Sequence, residues 1–493
     1  CMQALRLKLK KIGQCPALQK LIKFFDGNLY PAIYAALAFF SALFGLEIFF
    51  YSITVAIIVF TCLFSSDTKP IIAPVVLTVY STSWKHTPQP PYNSAFFNSA
   101  NVLITISVLA VLAVAAMVFR LLIFKNEGGD QQVGPSFKSG LLALAVVFVL
   151  NGSCYAGYEE RDLFLGILIA VSFVAVYFYL LFTLRRDNHC GSYCAYLLCL
   201  ASAVIFLQLL YVLLFEGAYA NGTINKDLVI AGWGMSNNVG GMLAMFLPAP
   251  LYFAYKNRKT GFLFYIFAFI QFLGICLTQS RSSVLVGGAV LIAAAILLSA
   301  VRSPNRKTIR IINIAVILIG AVGCAVFFEK IRDIFAVMFD RGFSDSNRFQ
   351  IWLNGLKNYL KAPLFGVGFY APFFVDINIE NWIFPDMYHN IIIQILACCG
   401  TVGIFAYALH VSQILQSLFR RATAERLFFF GVVLLITGTS LLDNHIFHVF
   451  PALIYSLVLL LWEREISVYS PLCAEWKRRK LPQKNFNSIE QSV

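Results

Sequence analysis

Residues 193–215 read YCAYLLCLASAVIFLQLLYVLLF, a run without one charged residue. About 20 such residues in a helix span the hydrocarbon core of a bilayer. In lipid the run has to be helical, because every backbone N–H and C=O must find its partner inside the segment. The same reading extends to further apolar segments near 30–46, 49–64, 71–83, 98–124, 139–154, 162–184, 236–255, 262–279, 283–301, 311–328, 390–419, 427–442 and 447–462, several of them shorter than that length. Composition agrees: 59% of the chain is hydrophobic and 13% charged, where soluble chains run at roughly 45–50% and 25%. A soluble enzyme, a disordered chain, a collagen and a disulfide scaffold are all excluded. The expectation is an all-α polytopic membrane protein with 12 to 14 transmembrane helices.

The formal net charge of +14 would suggest nucleic acid in a soluble protein, but here it reads as topology. Basic residues gather at the two ends and in alternate connections: Arg6 to Lys23, Arg185 and Arg186, Lys256 to Lys259, Arg302 to Arg310, Arg420 to Arg426, and Lys477 to Lys480. With a cytoplasmic N-terminus, most Lys and Arg fall on the cytoplasmic side, and nucleic acid is not needed as a partner. The chain then divides into a basic cytoplasmic N-terminus (1–28), membrane helices (29–328), a large extracytoplasmic loop (329–389), C-terminal membrane helices (390–462) and a basic cytoplasmic tail (463–493). Of the 12 cysteines, most sit in apolar runs and only Cys154 approaches the outer face, so no disulfide framework is available there. Cys190 and Cys194 beside His189 lack a fourth partner and read as the start of a helix, not a metal site. No cofactor is expected.

Ionisable residues at membrane depth are costly and require an explanation. Glu47, between two apolar runs, reads as an interfacial residue. Arg281 lies in a polar turn, Gln279-Ser280-Arg281-Ser282-Ser283, on the outer side, against the charge bias. Either an anionic ligand holds it there or an acidic residue of the long loop pairs with it. Inside that loop, 346–360 predicts a short helix whose Arg348 and Trp352, four apart, share a face. The indole would steady the guanidinium or pack a sugar ring. The glycines of Pro363-Leu364-Phe365-Gly366-Val367-Gly368 would let backbone amides approach a ligand. Tyr388-His389-Asn390 stands at the start of the next helix, where amide dipoles favour an anion. Asp340 and Asp345 form no divalent-metal signature.

Taken together, the Ser-Arg turn, Arg348-x-x-x-Trp352, the Pro363–Gly368 turn and His389-Asn390-(x)3-Gln394-(x)5-Gly400-(x)2-Gly403 resemble the O-antigen ligase/polymerase superfamily over residues 230–450. The resemblance implies a fold like the C class of glycosyltransferases. It also implies transfer of a glycan from undecaprenyl diphosphate to an acceptor hydroxyl on the outer face of the bacterial inner membrane. The acceptor would be a glycan or lipid A–core. Arg281, Arg348 and His389 correspond to the family's functional positions, and Asp443 to a polar position near its penultimate helix. The expected site therefore has His389 as base and Arg281 and Arg348 on the diphosphate, with Trp352, Asn390 and Asp443 as further substrate contacts. Transfer would be metal-independent and inverting. Ligase and polymerase chemistry, and that of a protein O-oligosaccharyltransferase, are not separated by these motifs. A lipid-linked oligosaccharide flippase is the alternative of a different class; it predicts an internal repeat and mid-bilayer charges, neither of which the sequence displays.

Overall fold

The computed structural model describes residues 2–86, 99–124, 136–185, 190–326 (except 221 and 302), 328–329, 332, 348–370, 387–419 and 423–468. Within them the chain is almost entirely helical: α1 Met2–Gly13, α2 Pro16–Asp26, α3 Leu29–Phe44, α4 Glu47–Phe64, α5 Ile72–Leu77, α6 Ala100–Ile123, α7 Lys138–Val149, α8 Glu160–Thr183, α9 Cys190–Phe215, α10 Ser236–Phe246, α11 Pro248–Lys256, α12 Gly261–Leu277, α13 Arg281–Ala300, α14 Arg306–Val326, α15 Arg348–Lys361, α16 Ile391–Phe419, α17 Ala424–Thr439 and α18 Val449–Val468. The strands are two-residue ladders between α9 and α10: β1 Tyr219–Ala220 with β2 Thr223–Ile224, and β3 Ile230–Ala231 with β4 Gly234–Met235. This is an all-α polytopic membrane protein.

Seven described helices are long and apolar enough to cross a bilayer unaided: α4, α6, α8, α9, α13, α14 and α16. An eighth span forms if α2 and α3, bent by 73° at their junction, count together. The distance to the expected 12–14 lies in segments that are short or broken for visible reasons. Pro248 interrupts the 236–255 run, since its ring denies the preceding turn a donor. The 71–83 run becomes α5 flanked by single 3-10 turns. The 139–154 run stops at Val149 because Gly152, with φ +63, turns the chain. At about 1.5 Å per residue, α7 is too short to cross alone.

The core runs through the middle of this set. α9 is buried along most of its length and touches α3, α10, α11 and α18, while α8 lies along α18. Helices α6 and α14 are instead exposed almost all round, as lipid-facing spans should be. The buried charge on α6, Arg120, is satisfied by the Ser65 and Ser66 carbonyls at 2.7 and 3.2 Å. Glu47, expected at the interface, is buried within the protein and accepts from the Ser83 amide at 3.0 Å. All ten cysteines among the described residues are free; Cys190 and Cys194 are buried in α9, and His189 lies outside the described residues.

Candidate active site

Three backbone features converge at one end of the bundle. The first is the turn between α12 and α13. Gln279 takes φ +55, so the chain reverses in three residues and Arg281 opens α13. Ser280 and Ser283 are buried and share a hydroxyl hydrogen bond of 2.9 Å. They pack on Gly240 of α10, where a Cβ would collide with the Thr278 and Ser280 side chains. Arg281 itself is exposed. No ion pair among the described residues involves it, so pairing with the long loop is not seen there.

The second feature is the start of α16. Asn390 Oδ1 accepts from the Ile392 and Ile393 amides at 2.9 and 3.1 Å, an N-cap that satisfies two otherwise orphaned donors. Its Nδ2 donates to the Leu441 carbonyl at 3.0 Å. The side chain expected to meet substrate is thus committed to the protein backbone at both ends. His389, one residue earlier, has φ +51, an uncommon conformation for a residue with a Cβ. The neighbours enforce it: Tyr388 N donates to Gln394 Oε1 at 2.7 Å and Ile391 N to Ser440 O at 2.8 Å. Gln394 Oε1 also accepts from Asn444 Nδ2 at 2.5 Å, which ties this corner to the turn after α17.

That turn is the third feature. Asp443 is buried in it, and His389 Nδ1 lies 2.9 Å from Asp443 Oδ1. The other carboxylate oxygen is 4.0 Å from Arg348 Nη2, the first residue of α15. Burial alone would raise the Asp443 pKa. The His389 hydrogen bond and the charges of His445, His389 and Arg348 outweigh it and hold the carboxyl well below the usual carboxylate range. Asp443 is therefore an anion linking the imidazole to the guanidinium. His389 remains part exposed, its side chain 38% accessible, against 9% for Asp443. Beneath them His445 is buried, and its Nε2 has no hydrogen-bond partner among the described residues. It faces Gly241 of α10, where a Cβ would meet the imidazole ring.

α15 is held on α16 by close approach. Gly355 leaves room for Ile393 and Tyr388, and Asn358 Nδ2 donates to Tyr388 Oη at 2.8 Å. The helix begins and ends near the expected 346–360. Trp352 packs against the core on the Arg348 side of the helix, but no cation–π contact joins the two among the described residues. The buried Trp352 Nε1 has no partner there.

The glycine turn does something other than expected. Gly400 breaks α16 with φ +66 and ψ −160, and the Pro363–Gly368 turn fills the break. Val367 N and Gly368 N donate to the Ala397 and Cys398 carbonyls at 2.8 and 3.2 Å. In return Thr401 N and Val402 N donate to Pro363 and Leu364 O at 2.8 and 3.2 Å. These amides meet the helix and not a ligand. The far side of the turn is fastened by Asn151 Oδ1, which accepts from Phe369 N at 3.0 Å, and by Asp162 Oδ1, which accepts from Tyr370 N at 2.7 Å. Neither anchor stands out in the sequence, because each acts across more than 200 residues.

Among the described residues no group of three or more His, Cys, Asp or Glu side chains is arranged to hold a metal ion; Asp340 and Asp345 lie outside them. The arrangement unites a hydrogen-bonded imidazole–carboxylate pair with two guanidiniums and the amino end of α13, a site for anions. Among comparisons with known proteins, the family model described as O-antigen ligase matches residues 266–408. That stretch contains Arg281, Arg348, Trp352, His389 and Asn390 and stops short of Asp443. No curated protein matches the chain.

Proposed function

From the O-antigen ligase domain of residues 266–408, which gives this chain its place beside the O-antigen ligase/polymerase superfamily, we propose a glycosyltransferase that uses a lipid-linked donor. It moves a glycan from undecaprenyl diphosphate to an acceptor hydroxyl at the outer face of the bacterial inner membrane. The observation that carries this reading is the 2.9 Å contact between His389 Nδ1 and Asp443 Oδ1, with Arg348 at the other carboxylate oxygen.

Asp443, kept ionised, accepts a hydrogen bond from Nδ1–H of His389 and so fixes the tautomer whose Nε2 lone pair is free. That nitrogen takes the proton of the acceptor hydroxyl as its oxygen attacks the anomeric carbon. The bond from that carbon to the diphosphate oxygen breaks, and the electron pair leaves with the diphosphate. The anomeric configuration inverts. Arg348 and Arg281 stabilise the charge that grows on the leaving group, helped by the amino end of α13. The guanidinium fork suits phosphate oxygens better than a point charge. Trp352, with its unpartnered indole N–H, offers a platform and a donor for a sugar ring. Asn390 acts through backbone, holding His389 in place. The acceptor is a glycan on a second lipid-linked repeat or lipid A–core; both present a hydroxyl to the same base. A protein hydroxyl would serve the third related chemistry in the same way. The clustering of Arg348, His389 and Asp443 at one end of the bundle favours a transferase over a flippase.

Purified His389→Ala in lipid nanodiscs tests the reading. Turnover should fall about 10²–10⁴-fold, the range for loss of a general base, while donor affinity and thermal stability hold. Wild-type turnover in EDTA should match that in buffer. Undiminished turnover by a well-folded His389→Ala would remove the base assignment.

A further inference from the structure

The connection between α9 and α10 is built to deliver one residue. β1 pairs with β2, β3 with β4, and a single 3-10 turn over Lys226–Leu228 joins the two ladders. Asn225 shapes that turn: its Oδ1 accepts from Asp227 N at 3.0 Å, its carbonyl from Leu228 N at 3.1 Å, and its own amide donates to Ala218 O at 2.8 Å. The whole hairpin is pinned at both ends. Gln279 Nε2 donates to Ile224 O at 3.3 Å, fastening it to the turn that carries Arg281. Gly232 presses on the Thr82 and Ser83 carbonyls, where a Cβ could not fit. Lys226 sits two residues beyond the Gln279 anchor, half-buried.

From there its charge acts on Arg281, Arg348, Asp443 and Asp227. Burial and the two guanidiniums push the ammonium pKa down, while Asp443 and Asp227 oppose them. The hairpin thus brings Lys226 beside the Arg281 turn and within electrostatic reach of Arg348 and of the buried carboxylate that His389 and Arg348 share. Bringing like charges together is unfavourable unless an anion completes the set. Among the described residues, the acidic side chains that act on Lys226 are Asp443, already shared by His389 and Arg348, and Asp227, exposed on the hairpin. The cluster has the charge of a site waiting for a di- or trianion.

We propose that the Lys226 ammonium is the third cation of the donor diphosphate site, supplied by a hairpin outside the segment that the family model matches. The inference rests on the diphosphate reading of Arg281 and Arg348. A lysine differs from them in kind: it is a mobile point charge on a flexible stem, able to follow phosphate oxygens without fixing their orientation. Its contribution is therefore to donor binding more than to the chemical step.

The test measures binding of undecaprenyl diphosphate, carrying no sugar, to the full chain in nanodiscs, together with donor and acceptor KM. Lys226→Ala should weaken undecaprenyl diphosphate binding about tenfold, as expected for loss of one charge-assisted contact, and raise donor KM similarly. Acceptor KM and melting temperature should not move. Lys226→Arg should restore affinity, and Lys259→Ala, at the other end of the bundle, should have no effect. Wild-type affinity in Lys226→Ala would overturn the proposal. So would a change in acceptor KM alone, or failure of arginine to rescue, which marks a structural lysine. Arg281→Ala and Arg348→Ala separate the two levels of the argument. If they lose affinity and Lys226→Ala does not, only the role of Lys226 fails. If all three bind like wild type, the diphosphate reading itself fails.

Discussion

Asp443 decides what His389 can be. An imidazole at a helix start is commonplace, and nothing in the local sequence says which nitrogen carries the proton. The carboxylate 2.9 Å from Nδ1 settles that by offering only an acceptor. Asp443→Asn should keep the shape but allow the opposite tautomer, with turnover falling about 10²–10⁴-fold and donor affinity little changed. The same carboxylate links stability to pH. Its folded pKa is depressed, so its stabilisation is present above the unfolded value of about 3.9 and is lost as pH falls through the folded value. The gap between acid melts of wild type and Asp443→Asn should therefore begin to narrow only below about pH 4 and go on narrowing as pH falls further. A gap that does not narrow at all below about pH 4 would assign the stabilisation to packing. Arg281, Arg348 and His389 were legible because each stands in a local motif. The pairing with Asp443 was not, since 54 residues and two helices separate the partners. Lys226 gave no signal at all: an isolated lysine in a polar connection looks like solvated surface until the hairpin is seen pinned to the Arg281 turn.

At the level of elements, the apolar runs located the helices well and their interruptions poorly. Hydropathy averages over a window, whereas a break depends on single residues such as Pro248 and Gly400. The Pro363–Gly368 turn was misread for a related reason. Glycines that permit close approach do not say what approaches, and here it is α16. Gly400→Ala should be among the most damaging small substitutions in the chain. It places a Cβ at φ +66 against the Leu364 carbonyl, with a backbone cost of order 1–3 kcal/mol before the collision is counted. Thermal unfolding in detergent should drop by several degrees, and turnover should fall because the half of α16 that carries His389 is displaced. Equal melting temperatures for the two proteins would show that the break is incidental. Alanine at Gly320 of α14, where a Cβ meets nothing within 4 Å, is the matched control.

For the molecule as a whole, the candidate site lies at one end of the bundle. The Arg281 turn, the α9–α10 hairpin, the start of α15 and the Asp443 corner share one end. The other end holds basic groups such as Lys256, paired with Glu425 at 2.5 Å. If the site faces outward, a membrane-impermeant thiol reagent should label Lys357→Cys on intact cells and spare Lys259→Cys; the reverse pattern would invert the topology. The join between α16 and the glycine turn also bears on how such a chain is made. Residues 363–368 precede Gly400, so during synthesis they reach their side of the membrane before the broken helix enters it. The carbonyls of Ala397 and Cys398 and the amides of Thr401 and Val402 have no substitute partners in lipid. We infer that the earlier segment acts as a waiting template on which insertion of α16 is completed. Two fragments divided near residue 380 should insert in yield only when the first is made beforehand, so the order of translation becomes part of the folding instructions.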